Sequence, residues 1–109
     1  MRVVVTGGRT GKDYDLVCQS LEGIISGVIV HGNANGYDSL CKRWAIEHGI
    51  DHEPHPADWD RYGMAAGPIR NTEMANLGAD MCIAFPGGRG TADMVRKCQD
   101  RGIQVYFVI

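Results

Sequence analysis

Short apolar runs rich in β-branched residues alternate along the chain with longer stretches whose apolar residues recur every three or four positions. The short runs predict β-strands and the longer stretches predict α-helices. The predicted strands cover 3–5, 28–30, 50–53, 81–85 and 104–109. The predicted helices cover 14–25, 37–48, 68–77 and 91–101, and a proline-containing loop ending at Gly63 follows the third strand.

This alternation predicts an α/β fold, a small Rossmann-like three-layer sandwich formed by residues 1–109 as one domain. Its parallel sheet of about five strands has the expected order 3-2-1-4-5, with helices on both faces. In such sheets ligands bind beyond the carboxyl ends of the strands, where the strand order reverses. The first and fourth strands meet at that reversal, so the residues that follow them are the first candidates for a site.

Glycine-rich segments follow both of these strands. The first strand ends in Thr6-Gly7-Gly8-Arg9, and the fourth leads into the segment 86–91, which reads PGGRGT. The second strand ends nearby, at His31-Gly32. The segment 86–91 precedes a predicted helix, whose free N–H groups and dipole favour an anion. Thr91 can instead cap that helix, in which case the segment is an ordinary tight turn.

The spacing of these glycines predicts a site for a phosphorylated small molecule, without defining the molecule further. Neither segment has the spacing of a Walker A loop or of a dinucleotide fingerprint.

Composition narrows the class of protein. The chain has 109 residues, 44% of them hydrophobic and 22% charged, with a formal net charge of −2. That charge makes nucleic acid an unlikely partner, since such proteins usually carry a basic surface. We expect a cytoplasmic protein without a signal peptide, a membrane span or a cofactor.

Cysteine and histidine placement predicts no metal site. The four cysteines are widely spaced among apolar neighbours, so we expect buried, reduced thiols. His52 and His55 could suggest a metal pair, but Pro54 lies between them and a solvated loop is the preferred interpretation.

Several short motifs agree in order and spacing with a known family. They are VTGGR at 5–9, HGNANGYD at 31–38, ADW at 57–59, AGPIRN at 66–71 and PGGRGT at 86–91. Together they resemble the SLOG superfamily, in particular its YspA-type branch related to the cpYpsA group. More distantly the chain is similar to the lonely guy phosphoribohydrolases, which cleave an N-glycosidic bond in a nucleoside monophosphate. The resemblance implies a domain that binds a nucleotide or a nucleotide-derived ligand.

The resemblance also implies roles for single residues. In the phosphoribohydrolases the loop reads P-G-G-x-G-T-x-x-E, and its glycines and threonine hold the phosphate with help from an upstream arginine. Arg70 matches that arginine, but Met94 occupies the position of the glutamate, which stabilises the developing oxocarbenium ion. Asp93, Glu73 and Asp38 are therefore the candidates for a catalytic carboxylate.

For several side chains, the sequence leaves both a structural role and a functional role open. Arg70 binds phosphate or forms a surface salt bridge, and Glu73 pairs with Arg70 or supplies the carboxylate. Arg9 and Arg89 bind phosphate or are solvated. Asp38 caps a helix or binds a ribose hydroxyl, and Trp59 stacks on a base or packs in a core or interface. For Trp44 we expect packing.

We therefore expect a binding module for a nucleotide-like ligand, with an N-glycosidic hydrolase as the alternative. We also expect a homo-oligomer, most simply a dimer, through Trp59, Tyr62 and Met64. The predicted ligand-binding residues are Thr6, Gly7, Gly8, Arg9, His31, Gly32, Asp38, Arg70, Asn71, Pro86, Gly87, Gly88, Arg89, Gly90 and Thr91.

Overall fold

The computed structural model describes residues 1–108, in which five strands alternate with helices. The strands are β1 (Arg2–Thr6), β2 (Val28–His31), β3 (Asp51–Pro54), β4 (Met81–Ala84) and β5 (Val105–Phe107). The helices are α1 (Tyr14–Leu21), α2 (Tyr37–Glu47), α3 (Trp59–Tyr62), α4 (Ala66–Asn76) and α5 (Arg89–Asp100), with a 3-10 turn at Gly63–Ala65.

The five strands form one parallel sheet in the order β3-β2-β1-β4-β5, which confirms the predicted fold class and strand order. Alternate residues of β1 point to opposite faces of the sheet. Val3 and Val5 pack with α1 and α2, whereas Val4 packs with α4 and α5. Trp44 is 2% exposed within the first of these cores, which confirms its predicted packing role.

Element boundaries differ from the prediction at several places. Helix α1 ends at Leu21, and Ile25 is 88% exposed because the chain turns toward β2 through Gly27, at φ +115°. The loop predicted to run to Gly63 contains α3, whose first turn is capped by the Asp58 carboxylate accepting from the Arg61 N–H. Strand β5 ends at Phe107, and Ile109 of the predicted strand lies outside the described residues.

The segment 52–55 is not the solvated loop that its composition predicted. His52 to Pro54 belong to β3, where Glu53 accepts two hydrogen bonds from Arg2 at 2.9 and 3.0 Å. Cys41, Cys82 and Cys98 are buried and Cys18 is half-buried, all as free thiols. No helix within residues 1–108 has both the length and the apolar character that a membrane span requires.

Candidate functional site

A cavity of about 870 Å³ lies at the carboxyl ends of the central strands. Its walls come from the segments that follow β1 and β2 and from the first turns of α4 and α5, and its volume falls in the range of roughly 300–1,000 Å³ usual for small-molecule sites. The predicted residues that line it are Thr6, Gly7, Gly8, Arg9, Gly32, Asp38, Arg70, Asn71, Gly88, Arg89, Gly90, Thr91 and Asp93.

The two glycine-rich segments touch each other beside this cavity. The Gly8 N–H donates to the Pro86 carbonyl at 2.8 Å. A Cβ added to Gly7 would lie 2.7 Å from Tyr37 Cβ, and one added to Gly87 would collide with the Thr91 side chain and with Gly8 N. Gly7 is therefore required by the close approach of Tyr37 in α2, and Gly87 by the packing of the two segments on each other. Pro86 and Gly87 contribute to this packing and do not line the cavity.

Gly88 and Gly90 face open space instead. A Cβ added to either would meet no atom of the described chain within 4 Å. Gly88 is the N-cap of α5, without a side-chain cap, and the first helical bond runs from the Ala92 N–H to the Gly88 carbonyl. Thr91 is thus the third residue of the helix and not its cap. The N–H groups of this first turn have no partner within the helix and are available to an anion.

These contrasting environments give the first prediction. Gly90→Ala should raise the free energy of unfolding by roughly 0.5–1 kcal/mol, because alanine is favoured over glycine in a helix and has room here. The same methyl group projects into open space at the α5 N-terminus, where we expect an anion to bind, so anion binding should weaken. Gly87→Ala is the matched control and should destabilise the fold. Thermal unfolding with and without phosphate separates the two effects, and a Gly90→Ala variant with unchanged affinity would remove Gly90 from the site.

Arg70 is held in place by the protein on one side only. Its Nε donates to Asn71 Oδ1 at 2.9 Å. Its Nη1 donates to the Gly32 carbonyl and, at 3.4 Å, to the His55 carbonyl. The second terminal guanidinium nitrogen, Nη2, has no hydrogen bond within residues 1–108, where Arg70 also forms no ion pair. The alternative of a surface salt bridge is therefore not found within residues 1–108, and a half-buried guanidinium is left with two free donors at the cavity.

The electrostatics of Arg70 reflect that missing partner. Burial lowers its pKa, Asp38 opposes this effect and Arg9 adds to it. A guanidinium keeps its charge throughout the physiological range even so. A bound anion would relieve this unfavourable burial.

Asn71 joins Arg70 to the first turn of α5. Its side-chain amide is buried, accepts from Arg70 Nε and donates to the Gly90 carbonyl at 3.2 Å and to Asp93 Oδ2 at 3.1 Å. This buried amide therefore sets the position of Arg70 relative to the open helix terminus.

Asp93 is neutralised by its neighbours. Its carboxylate accepts from Arg96 at 2.7 Å and from Lys97 at 2.8 Å, in addition to Asn71. Burial raises its pKa, but the hydrogen bonds from Lys97 and Asn71 and the two positive charges lower it overall. Lys97 also donates to the Pro68 carbonyl, so Asp93 fixes α5 to α4. A carboxylate paired with two cations has little capacity to stabilise a third positive charge.

The other positions considered for a carboxylate differ in placement. Met94 is 1% exposed and packs in the core with Met74 at the base of the cavity. Glu73 is exposed and is not among the lining residues, nor does it pair with Arg70. Asp38 lines the cavity and is 7% exposed.

Asp38 organises the segment between β2 and α2. Its Oδ2 accepts from the Gly32 N–H at 3.1 Å and from the Ala34 N–H at 3.3 Å. Asp38 does not cap α2, because the N-cap of that helix is Gly36. Burial raises the pKa of Asp38 to about 6, against the opposing effects of these two hydrogen bonds and of Arg70 and Arg9. An acidic group with such a perturbed pKa in a cavity is typical of functional sites.

His31 lies behind the cavity wall and does not line it. Its Nδ1 accepts from the Asn33 N–H at 3.0 Å, and its Nε2 lies 3.0 Å from His52 Nδ1. Burial and the nearby His52 lower its pKa to about 4, so the ring is neutral at pH 7. Asn33 adopts φ +56°, and His31 holds this left-handed residue in place. His31 thus positions this segment from outside the cavity lining, and its contact with a ligand stays a prediction.

Several lining residues were not predicted from the sequence. Trp59, left open between base stacking and packing, is 45% exposed at the cavity, with the Arg9 guanidinium carbon 4.9 Å from its ring. Gly67 allows this placement, since a Cβ there would lie 3.3 Å from the indole. Other lining residues that were not predicted as site residues are Val5, Ala34, Met64, Pro68, Met74, Ala92 and Arg96.

Comparison with known proteins relates this chain to a family and to one phage protein. Residues 1–62, from β1 through α3, match the profile named YAcAr, the YspA, cpYpsA-related SLOG family. The gene 61 protein of Mycobacterium phage D29 is 42% identical over 116 aligned residues, covering 95% of this chain and 93% of that protein. The chain thus belongs to the YspA, cpYpsA-related SLOG family.

Proposed function

We propose that this protein binds a nucleotide or nucleotide-derived phosphorylated ligand, with a phosphate at the N-terminus of α5. The observation that carries the proposal is the pairing of an open helix terminus with Arg70. The first turn of α5 has no side-chain cap, and Nη2 of Arg70 has no partner within residues 1–108. Helix N-termini and arginine side chains are both common phosphate ligands.

The charge of the cavity supports an anionic ligand. Four arginines and two carboxylates line it, a balance of +2 within a chain whose net charge is −2. One of the two carboxylates, Asp93, is already paired with Arg96. Positive charge concentrated in a cleft raises the local concentration of an anionic ligand.

Trp59 supports a ligand with an aromatic base. Its half-exposed indole lies at the cavity, where apolar side chains of Val5, Met74 and Met94 form part of the lining. A base stacked on an aromatic side chain gains roughly 1–3 kcal/mol. Phosphate at one end and an aromatic surface at the other suit a nucleotide better than inorganic phosphate.

Native mass spectrometry of the purified protein, before and after denaturation, tests this proposal. We expect a retained or readily exchanged nucleotide-like compound. Calorimetry with nucleoside monophosphates, diphosphates and dinucleotides then gives the affinity of each class. Absence of binding across the panel, at a protein concentration that detects millimolar dissociation constants, would overturn the proposal.

Hydrolysis of the N-glycosidic bond is the second candidate, and Asp38 favours it, as a buried carboxyl with a pKa near neutrality. We nevertheless expect little or no release of free base from nucleoside monophosphates, because Met94 replaces the glutamate and Asp93 is neutralised. Chromatography of the reaction products measures this directly. Rapid release that disappears in Asp38→Asn or in Asp93→Asn would identify a hydrolase and its carboxylate.

Self-association belongs to the same proposal. Trp59, Tyr62 and Met64 are 45%, 40% and 94% exposed on the short segment that borders the cavity. Burial of these side chains against a second copy would remove apolar surface from water. We expect light scattering to give the mass of a dimer, and Met64→Glu to shift it toward the monomer. A monomeric mass at high concentration, with and without nucleotide, would argue against self-association.

A further inference from the structure

The Asp38 carboxylate has one oxygen that the protein does not use. Both backbone N–H groups that reach the side chain donate to Oδ2. Oδ1 makes no hydrogen bond within residues 1–108, and it is not sealed from the cavity, although the residue as a whole is only 7% exposed. This oxygen is therefore open to the cavity, where it can accept a hydrogen bond from a donor on a ligand.

The chemistry of a carboxylate restricts that donor. An ionised carboxylate only accepts hydrogen bonds, and its charge repels a phosphate. The arginines on either side do not satisfy it, since Asp38 forms no ion pair with Arg9 or Arg70 in the described part of the chain. The ligand group at Asp38 is therefore not an anion and carries O–H or N–H donors.

The strand order places that group at a defined distance from the phosphate. The Asp38 carboxylate accepts from the Gly32 N–H directly after β2, and the α5 terminus follows β4, with β1 between these two strands. Two strand spacings amount to roughly 10 Å, and a hydrogen bond at each end takes roughly 3 Å, which leaves about 4 Å between the phosphate oxygen and the donor. One pentose ring spans this separation, whereas donors on a base lie farther from the phosphate.

We propose that Asp38 binds the hydroxyl groups of a ribose, so that the site selects ribonucleotides over their 2′-deoxy counterparts. This inference rests on the proposed function and adds the sugar to it. A carboxylate oxygen accepting from the 2′-hydroxyl loses that bond when the hydroxyl is absent. The unpartnered buried acceptor then disfavours the deoxy ligand.

Calorimetry with ribose 5-phosphate, the four ribonucleoside 5′-monophosphates and their 2′-deoxy counterparts tests the inference. We expect the ribo ligand to bind about ten- to hundredfold more tightly than its deoxy counterpart, since a hydrogen bond to a charged group is broken. In Asp38→Asn the ratio should fall to near one. The asparagine oxygen can still accept from Gly32 and Ala34, so only the free oxygen is changed, to a donor.

A charge-matched control and a pH series complete the test. Asp100→Asn removes the same charge from an exposed position outside the cavity and should leave the ratio unchanged. In the unmutated protein the ratio should decline below pH 6, as Asp38 is protonated among Arg9, Arg70 and Cys41, whereas the phosphate affects both ligands equally.

The possible outcomes separate the two proposals. Equal affinity for ribo and deoxy ligands in the unmutated protein would overturn the ribose inference and leave phosphate binding intact. A preference that persists in Asp38→Asn would assign the selection to another residue and also overturn it. If no phosphorylated ligand binds at all, the proposed function itself fails.

Discussion

Arg70→Ala should weaken binding of the preferred nucleotide by roughly 1.5–3 kcal/mol, about ten- to hundredfold in dissociation constant. Nη2 of Arg70 provides two N–H donors to an anion, and both are lost when the guanidinium is removed. Arg70→Lys should recover only part of the affinity, because a single ammonium cannot bond Asn71 and Gly32 and still reach the cavity. Calorimetry of both variants with the same nucleotide measures the difference.

Loss of local structure is the competing explanation for such a result. Arg70 also ties the carbonyl groups of Gly32 and His55, so thermal unfolding should accompany each titration. Arg101→Ala removes a positive charge that lies outside the cavity, and it serves as the control for net charge. If Arg70→Ala and Arg70→Lys both bind like the unmutated protein, Arg70 does not contact the ligand.

Asp38→Asn should stabilise the ligand-free protein at pH 7.5 or so by about 3 kcal/mol. Burial raises the pKa of Asp38 from its ordinary value of 3.8 to about 6. Between these two values the folded protein binds more protons than the unfolded chain, so stability falls as pH rises through this window. Above pH 6 the folded state holds the full cost of a buried charge, which asparagine does not carry.

Urea unfolding of both proteins at pH 4, 5, 6 and 7.5 measures this effect. The stability difference should be small at pH 4 and should increase to its full size by pH 7, with Asp100→Asn following the unmutated protein throughout. A difference that is constant with pH would show that Asp38 is not the titrating group. A stabilising substitution at a ligand-binding residue is the usual sign that stability has been given up for function.

The fold could be predicted because its signals are local. Short apolar runs rich in β-branched residues identify most of the strands, and the parallel order follows from the right-handed connections. The starts of α1 and α2 were predicted correctly, whereas α4 and α5 each begin two residues before the predicted start. Helix α5 begins at Arg89, before the apolar positions that identify it, since glycine caps it without the side-chain signal that a serine or aspartate gives.

The site was predictable as a location but not as a set of side-chain roles. Motif matching grouped Gly87 with Gly88, although the first is needed by loop packing and the second faces open space. It also grouped His31 with the ligand-binding residues, although the side chain turns into the sheet and bonds Asn33 and His52. These distinctions depend in part on contacts between residues far apart in the chain, such as Gly87 with Gly8 and His31 with His52, which no local pattern records.

The Asn71 amide makes the two halves of the anion site interdependent. Because one side chain holds both Arg70 and the Gly90 carbonyl, the orientation of the amide is fixed from both sides at once. The energetic contributions of the arginine and of the helix terminus are then not additive, as is general for residues that share one hydrogen-bond network. Evolution or design can therefore change the affinity of the site for phosphate by altering Asn71, even without a contact between Asn71 and the phosphate.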